Sequence, residues 1–417
     1  MRILIYGINY APELTGIGKY SGEMAEWFAQ QGHDVSVFTA MPYYPEWAIH
    51  SEYKGKLWRK ELTNGVKVYR SPLYVPKESD SKKKIGSKRR ILHEISFLIN
   101  SSVYWTLSLF RKKYDLVICV SPPFHIGVSA VIYSKLKRAK LVTHIQDLQI
   151  DAAKDLNMLS NGMALNVMFK VEKFLLKRSN YVSTLTKGMR DRIESKGITQ
   201  DKIVMLPNWV DLQAIRPLPK EQSLRSKFGI PMDDTVILYS GNMGEKQGLE
   251  IVIDVAEALK DKKNVHFVLV GSGVGQHRLE TMATERKLEN VKFYPLQPYV
   301  DLPALLAIAD IHLVLQKKKA SDLVMPSKLT GILAVGGCAI ITAMPGTSLY
   351  EVTDEYNMGI LCEPESAKAL QKAIEDALEE DLTTIKKNAY NYAINHLNKD
   401  VILSDFVDTM QKSMTAR

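Results

Sequence analysis

The chain reads as an α/β protein built from two doubly wound parallel-sheet domains facing each other across a cleft. Three observations predict this. Short apolar runs rich in valine and isoleucine alternate with helical stretches along the chain, the pattern of a parallel sheet covered on both faces. Two strand–loop–helix units, opening at Arg2 and at Thr235, carry glycine-bearing polar turns that suit the ligand edge of such a sheet. Between them Pro207-Asn208-Trp209-Val210-Asp211, followed by Pro217 and Pro219, reads as a linker.

The length, 417 residues, exceeds one ordinary core and suits two domains. We expect a first domain over 1–207, a second over 208–395 and a terminal helical segment over 396–417. Strands are predicted at 2–6, 35–39, 66–70, 116–120, 141–145, 181–184 and 203–206 in the first half. The first helix should run over 17–31 and stop at Gly32, a residue that tolerates a left-handed cap. Segment 41–65, with Pro42, Tyr43, Tyr44, Pro45, Trp47, Tyr53 and Trp58, shows little periodicity and reads as a long loop whose aromatic faces suit stacking on sugar rings. After the linker, strands are expected at 235–240, 265–270, 291–293, 311–315 and 339–342. The tail over 400–414 is an amphipathic helix with Val401, Leu403, Phe406, Val407 and Met410 on one face.

Composition narrows the class. Cys119, Cys338 and Cys362 sit in apolar, strand-like contexts without metal-ligand spacing, and the N-terminus enters a strand directly, so a reducing cytoplasm is expected. The net charge of +9, from 55 cations and 46 anions, admits an anionic ligand, nucleic acid or an anionic membrane as partner. Lys82, Lys83, Lys84, Lys88, Arg89 and Arg90 precede an aromatic and aliphatic stretch over 95–110. That stretch is too short to span a bilayer. It reads either as a membrane-surface element or as a core helix behind a solvated loop, and the residues leave both open. Nucleic-acid binding is disfavoured because no recognised motif accompanies the charge.

Several residues suit chemistry. Gly241, Gly244 and Lys246 put a flexible turn and a cation between a buried strand and a helix start, where a diphosphate would be favoured. Met325-Pro326-Ser327-Lys328 opens a later helix with free backbone donors and suits phosphate or ribose. Gly271-Ser272-Gly273 reads as a tight connection, and Lys317-Lys318-Lys319 as a solvated loop. His144-Ile145-Gln146-Asp147 ends a strand, so His144 and Asp147 stand where ligands bind in open α/β sheets. Glu13 is carried on the first glycine-bearing loop. No Gly-x4-Gly-Lys-Ser/Thr and no carboxylate pair at metal spacing occurs, so neither a metal cofactor nor ATP hydrolysis is indicated.

The stretches 9–20, 144–147, 239–248 and 325–329 together resemble the retaining family-4 glycosyltransferases of GT-B fold, two Rossmann-like domains, and especially their exopolysaccharide and colanic-acid branch. The resemblance implies transfer of a sugar from a nucleotide diphosphate donor, held mainly by the second domain, to an acceptor held by the first. It implies retention and no obligatory metal. By this likeness Gly16 and Gly18 match the glycine loop beside the donor diphosphate, Lys246 the phosphate-binding lysine and His144 the histidine near the transferred sugar. Pro298, Tyr299 and Val300 fall in the nucleobase loop. Gly241, Asn242, Ser327 and Lys328 join the donor contacts, with Lys246, His144 and Asp147 as the catalytic set. Asn9 and Glu13 are placed as acceptor contacts, and the terminal helix looks like the one that returns to brace the first domain.

Two motifs depart from the family pattern. Asn242 stands where many members have arginine, and Leu323 and Gly331 stand at the ends of the usual Glu-x7-Glu, with Asp322 nearby. The expected function is extension of a lipid-linked oligosaccharide in exopolysaccharide assembly, with GDP-fucose or GDP-mannose favoured as donor, at the inner face of the cytoplasmic membrane. The alternative is a noncatalytic nucleotide-sugar or glycan-binding protein on the same fold.

Overall fold

Each half of the chain folds as a mainly parallel sheet with apolar residues pointing into helices on both sides, as expected for doubly wound α/β domains. The structure, a computed structural model, describes residues 1–13, 16–76, 87–155, 162–318 and 326–415. It divides into one unit of Met1–Leu206 with Leu403–Arg417 and a second of Pro207–Ile402.

The first unit holds β1 (Arg2–Tyr6), β2 (Asp34–Ala40), β3 (Arg59–Thr63), β4 (Val66–Ser71), β5 (Leu116–Ser121), β6 (Lys140–Ile145), β7 (Tyr181–Thr184) and β8 (Ile203–Met205). Their order is β3-β4-β2-β1-β5-β6-β7-β8. Ile5 sits opposite Val37 on one side and Ile118 on the other. On one face of this sheet Leu4, Tyr6, Phe38 and Leu141 pack against Phe97, Trp105 and Tyr133 of two covering helices. The chain passes from β1 to β2 and β4 on one side and then returns to place β5 on the other. The carboxyl ends of β1 and β5 therefore flank a switch point, where open α/β sheets bind ligands.

The second unit holds β9 (Thr235–Asn242), β10 (Val265–Ser272), β11 (Val291–Tyr294), β12 (Ile311–Val314), β13 (Ala339–Thr342) and β14 (Ile360–Cys362). They lie in the order β11-β10-β9-β12-β13-β14, all parallel. Alternate residues feed two cores: Val236, Leu238, Val268 and Val270 point to one, while Ile237, Tyr239, Phe267 and Leu269 point to the other. That alternation is the two-sided burial expected of a central strand. Here the switch point falls between β9 and β12.

Some elements differ from expectation. Segment 41–65 is not all loop, because β3 pairs antiparallel with β4. The turn between them is Asn64-Gly65, with φ of 49° and 79°, a dipeptide favoured where two positive dihedrals join strands. A short strand, β14, forms at 360–362, beyond those anticipated. In the terminal helix, Lys399–Thr415, the residues Leu403, Phe406, Val407 and Met410 are buried, but Val401 is 47% exposed. Phe406 stacks on Phe28 with centroids 6.3 Å apart.

The stretch after the basic cluster packs one side into the core, as the core-helix reading expects, and leaves apolar side chains exposed on the other. It forms a helix, Ser87–Leu109, whose His93, Phe97, Ser101, Tyr104 and Trp105 are buried while Ile95, Ile99 and Val103 are exposed. Tyr6 and Ser101 hydroxyls meet at 2.8 Å on the buried side. Lys82, Lys83, Lys84, Lys319, Asp322, Leu323 and Met325 lie outside the described residues. Among the described residues no helix is long and apolar enough to cross a membrane.

Candidate functional site

In the first unit the switch point opens into a cavity of about 230 Å³. The loops after β1 and β5 supply Ile8, Asn9, Pro122 and Pro123, and the start of the helix Gly16–Gln30 supplies Gly16 and Gly18. Tyr43, Tyr44 and Trp47 come from the loop after β2, Arg90, His93 and Glu94 from the helix Ser87–Leu109, and Asp147 follows β6. The cavity thus combines aromatic surface with cationic and anionic groups, a lining that suits a sugar with polar substituents.

The aromatic side is held rigidly. Tyr43 and His93 rings meet edge-on at 4.5 Å, and Trp47 lies 5.2 Å from His93. The His93 Nδ1–H donates to the Tyr74 carbonyl at 2.5 Å, and burial lowers the pKa of this histidine, which keeps the ring neutral. On the polar side Arg90 Nε donates to Glu94 Oε1 at 3.3 Å, and His125 Nδ1 lies 3.9 Å from Glu94 Oε2.

Glu13 is absent from the cavity lining; it lies beneath the loop. Its side chain is buried, and its oxygens accept from Asn9 Nδ2 at 2.9 Å and from the backbone N–H groups of Tyr43 and Tyr44 at 3.1 Å each. These bonds fix the aromatic loop to the first loop. Burial raises the Glu13 pKa against the lowering effect of those donors. Gly18 is required here, since a Cβ would stand 2.7 Å from the Glu13 Cβ.

His144 is likewise buried, with both ring nitrogens engaged. The Gln146 amide nitrogen donates to Nε2 at 2.7 Å, so the proton sits on Nδ1, 2.9 Å from Ser183 Oγ. Burial lowers its pKa to about 4. In this arrangement His144 braces β6 and β7, while Asp147 reaches the cavity.

In the second unit the turn after β9 is crowded by the neighbouring strand. A Cβ on Gly271 would fall 2.0 Å from the Gly241 carbonyl oxygen, and one on Gly273 would fall 2.5 Å from that of Met243. The plain reading of Gly271 and Gly273 as a tight connection therefore has a steric cause. Gly241 itself has φ of 139° and faces Lys328, whose Nζ would be 3.1 Å from a Cβ there.

Lys328 stands in the first turn of the helix Ser327–Ala334. Its Nζ lies 3.5 Å from the Tyr239 ring centroid, buried and, among the described residues, without a hydrogen-bond partner. Burial lowers its pKa to about 7. A cationic side chain at a helix N-terminus beside a glycine turn is an arrangement that suits an anion. The Tyr239 hydroxyl underneath donates to the Asn242 carbonyl at 2.6 Å, which holds the turn.

The other predicted donor residues spread along the same edge. Ser327 is exposed at the helix start, and Asn242 is exposed in the turn. Lys246 is also exposed; its carbonyl accepts from the Lys317 N–H at 2.9 Å. The Lys317 stem packs on Gly248, so this lysine is not simply solvated. Pro298, Tyr299 and Val300 form a turn after β11 at the sheet edge, with Val300 83% exposed. Sequence reasoning missed Arg90, His93 and Glu94 as cavity residues and Tyr239 as the platform under Lys328. The spacing of Arg90 and Glu94, four apart on a helix, was the available signal for the first pair.

Comparison with known proteins gives the family and the fold. The family "Glycosyl transferases group 1" matches residues 220–396, and "Glycosyl transferase 4-like domain" matches residues 15–209. A protein of Escherichia coli K12, assigned to colanic acid biosynthesis as glycosyl transferase WcaI, is 41% identical over 99% of this chain and 100% of its own length. Among solved structures, the sucrose-phosphate synthase of Thermosynechococcus elongatus superposes with a TM-score of 0.76 at 17% identity, covering 100% of both chains. HepE of Anabaena in complex with UDP superposes with a TM-score of 0.73 at 16% identity, over 99% of this chain and 100% of its own. These two share the fold, and the fold is GT-B.

Proposed function

This chain belongs to the group 1, family-4-like glycosyltransferases, and on that premise we propose that it transfers a sugar from a nucleoside diphosphate donor to a lipid-linked saccharide during assembly of a colanic-acid-type exopolysaccharide. The observation that carries the reading is Lys328, whose buried Nζ has no hydrogen-bond partner among the described residues, at the β9/β12 switch point and set against Gly241. A donor diphosphate would supply that missing anionic partner. As the bond to the anomeric carbon breaks, negative charge grows on the leaving diphosphate, and a preorganised cation stabilises this transition state more than the ground state. Lys246 and the first-turn amides of the helix Ser327–Ala334 add to this field.

In the first unit, the cavity bounded by Tyr43, Tyr44 and Trp47 would hold the acceptor sugar, with Glu94 and Asp147 as hydroxyl acceptors and Arg90 as donor. Attack from the face that the diphosphate leaves would retain configuration. Because Lys328 and the backbone donors provide the positive charge, we propose that no resident metal is needed. We further propose GDP-fucose or GDP-mannose as the donor and the inner face of the cytoplasmic membrane as the site of action.

Calorimetry with GDP, UDP, dTDP and ADP, each with magnesium and with a chelator, tests the reading. Selective binding of one nucleoside diphosphate, unchanged by the chelator, is expected. Absence of binding to all four, or binding only with magnesium, contradicts it.

A further inference from the structure

Three helices cover one face of the first sheet side by side: Ser87–Leu109, Gly127–Lys137 and Gly162–Arg178. Their inward residues share one core with the strands, as Phe97, Trp105, Tyr133 and Leu175 show. Trp105 and Tyr133 rings lie 5.3 Å apart, and Lys137 Nζ donates to the carbonyls of Leu109 and Arg111. A Cβ on Gly127 would meet Leu175 at 3.6 Å. The helices are therefore packed neighbours, and their opposite sides all face away from the sheet.

Those outer sides are apolar. The first helix exposes Ile91, Ile95, Ile99, Val103 and Leu107, and Phe110 just beyond it is 86% exposed. The second exposes Val128, Ile132 and Leu136, and the third Met163, Val167, Val171 and Phe174. Spacings of three and four keep each set on one stripe of its helix. Scattered exposed apolar residues are ordinary, but contiguous stripes on neighbouring helices mark an interaction surface.

Charge identifies what would cover it. Exposed charged residues on these helices are cationic: Lys88, Arg89 and Arg90 on the first, Lys135 on the second, Lys170 and Lys173 among those on the third. The acidic residues within them are accounted for inside the fold. Glu94 pairs with Arg90, and Glu172 is buried against Lys196 at 2.6 Å. An apolar face rimmed by cations, with no exposed anion on the three helices, matches the acyl boundary and headgroups of an anionic bilayer.

We propose that this three-helix face is a docking surface for an anionic lipid membrane. It deepens, and in purpose rests on, the lipid-linked acceptor reading. The helix Ser87–Leu109 also gives Arg90, His93 and Glu94 to the cavity, so docking brings that cavity to the headgroups where a lipid-borne saccharide is presented.

Flotation of the full-length protein with vesicles of phosphatidylcholine, alone or mixed with phosphatidylglycerol, tests this. Binding only to the anionic vesicles is expected, falling by about tenfold or more in raised salt or in the triple variant Ile95→Glu, Ile99→Glu, Ile132→Glu. Because these side chains are exposed, melting of the variant should match the parent. If it does not fold, the pair Lys170→Glu, Lys173→Glu carries the same expectation. Equal binding to neutral vesicles, no binding, or variants that bind undiminished would overturn the proposal. Self-association that the glutamates abolish, without vesicle binding, would assign the face to a second copy of the chain and overturn it too. Nucleoside diphosphate binding in vesicle-free buffer reads the transferase separately: its loss in the parent protein counts against that reading and leaves the docking result standing.

Discussion

The Lys328 Nζ lies 3.5 Å from the centre of the Tyr239 ring, buried and, among the described residues, without a hydrogen-bond partner. Attraction to the ring face offsets only part of the cost of desolvating the charge. The ligand-free protein therefore holds a cation in an environment that favours its neutral form, and an arriving diphosphate would relieve this.

Lys328→Met should weaken nucleoside diphosphate binding by about tenfold or more, the scale of a lost charge-assisted hydrogen bond. Ligand-free melting should stay level or rise, since an isolated buried cation is removed. Lys246→Ala, at an exposed position, should cost less affinity. Calorimetry of both variants checks the ranking, and the reverse order would return the main phosphate role to Lys246.

Proton uptake offers a separate check. The Lys328 pKa is lowered by burial to about 7 in the folded chain, against an ordinary lysine value of 10.5. Between those values the unfolded state binds more protons, so this lysine's contribution to stability rises with pH across that window. A bound diphosphate favours the charged form. Near pH 8 binding should therefore take up protons and weaken as pH increases, measurable as a buffer-dependent heat that Lys328→Met abolishes.

Gly16 and Gly18 should respond differently to alanine. At Gly18 the new Cβ would meet Glu13 Cβ at 2.7 Å and Oε2 at 2.9 Å. Displacing the carboxylate strands the Tyr43 and Tyr44 N–H groups, at about 1–3 kcal/mol each. At Gly16 no atom of the described residues, its chain neighbours and own helix backbone aside, lies within 4 Å of the added Cβ, but φ is 58°, so the cost is about 1–2 kcal/mol of backbone strain. Denaturant melts should show the larger loss for Gly18→Ala, together with a raised acceptor KM.

His144 should make the protein acid-sensitive. Its folded pKa, about 4, lies below the ordinary histidine value of 6.5, so the unfolded state binds more protons between those values and stability falls as pH drops through that window. His144→Gln should lower the melting temperature at pH 7, where hydrogen bonds to Ser183 and Gln146 are disturbed, yet flatten the decline toward pH 4. Flattening will be partial, because His312, held at about 3 by burial, contributes with the same sign. An unchanged slope would show that His144 is not the titrating group.

Much of the fold was legible because it rests on local pattern. The β-branched runs at 2–6, 181–184 and 339–342 coincide with β1, β7 and β13, since burial on both faces leaves such runs almost nothing else to become. The Asn64-Gly65 turn was equally local, yet the aromatic residues before it concealed β3. Glycine turns and a proline-serine helix start were visible for the same reason: backbone geometry restricts which residues fit.

Sequence alone thus determined the α/β class, the strand edges that carry ligand loops and the kinship with glycosyltransferases. Only tertiary structure decided which side chains face those edges. It buried Glu13 and His144 with their side-chain polar atoms engaged, brought Arg90, His93 and Glu94 from a distant helix into the cavity, and left Lys328, rather than Lys246, buried over an aromatic ring. Periodicity shows that a helix has an apolar side, but the outward stripe of Ser87–Leu109 emerged only once its aromatic side had found the sheet. Burial and pairing depend on contacts between residues far apart in the chain, and no local pattern encodes them.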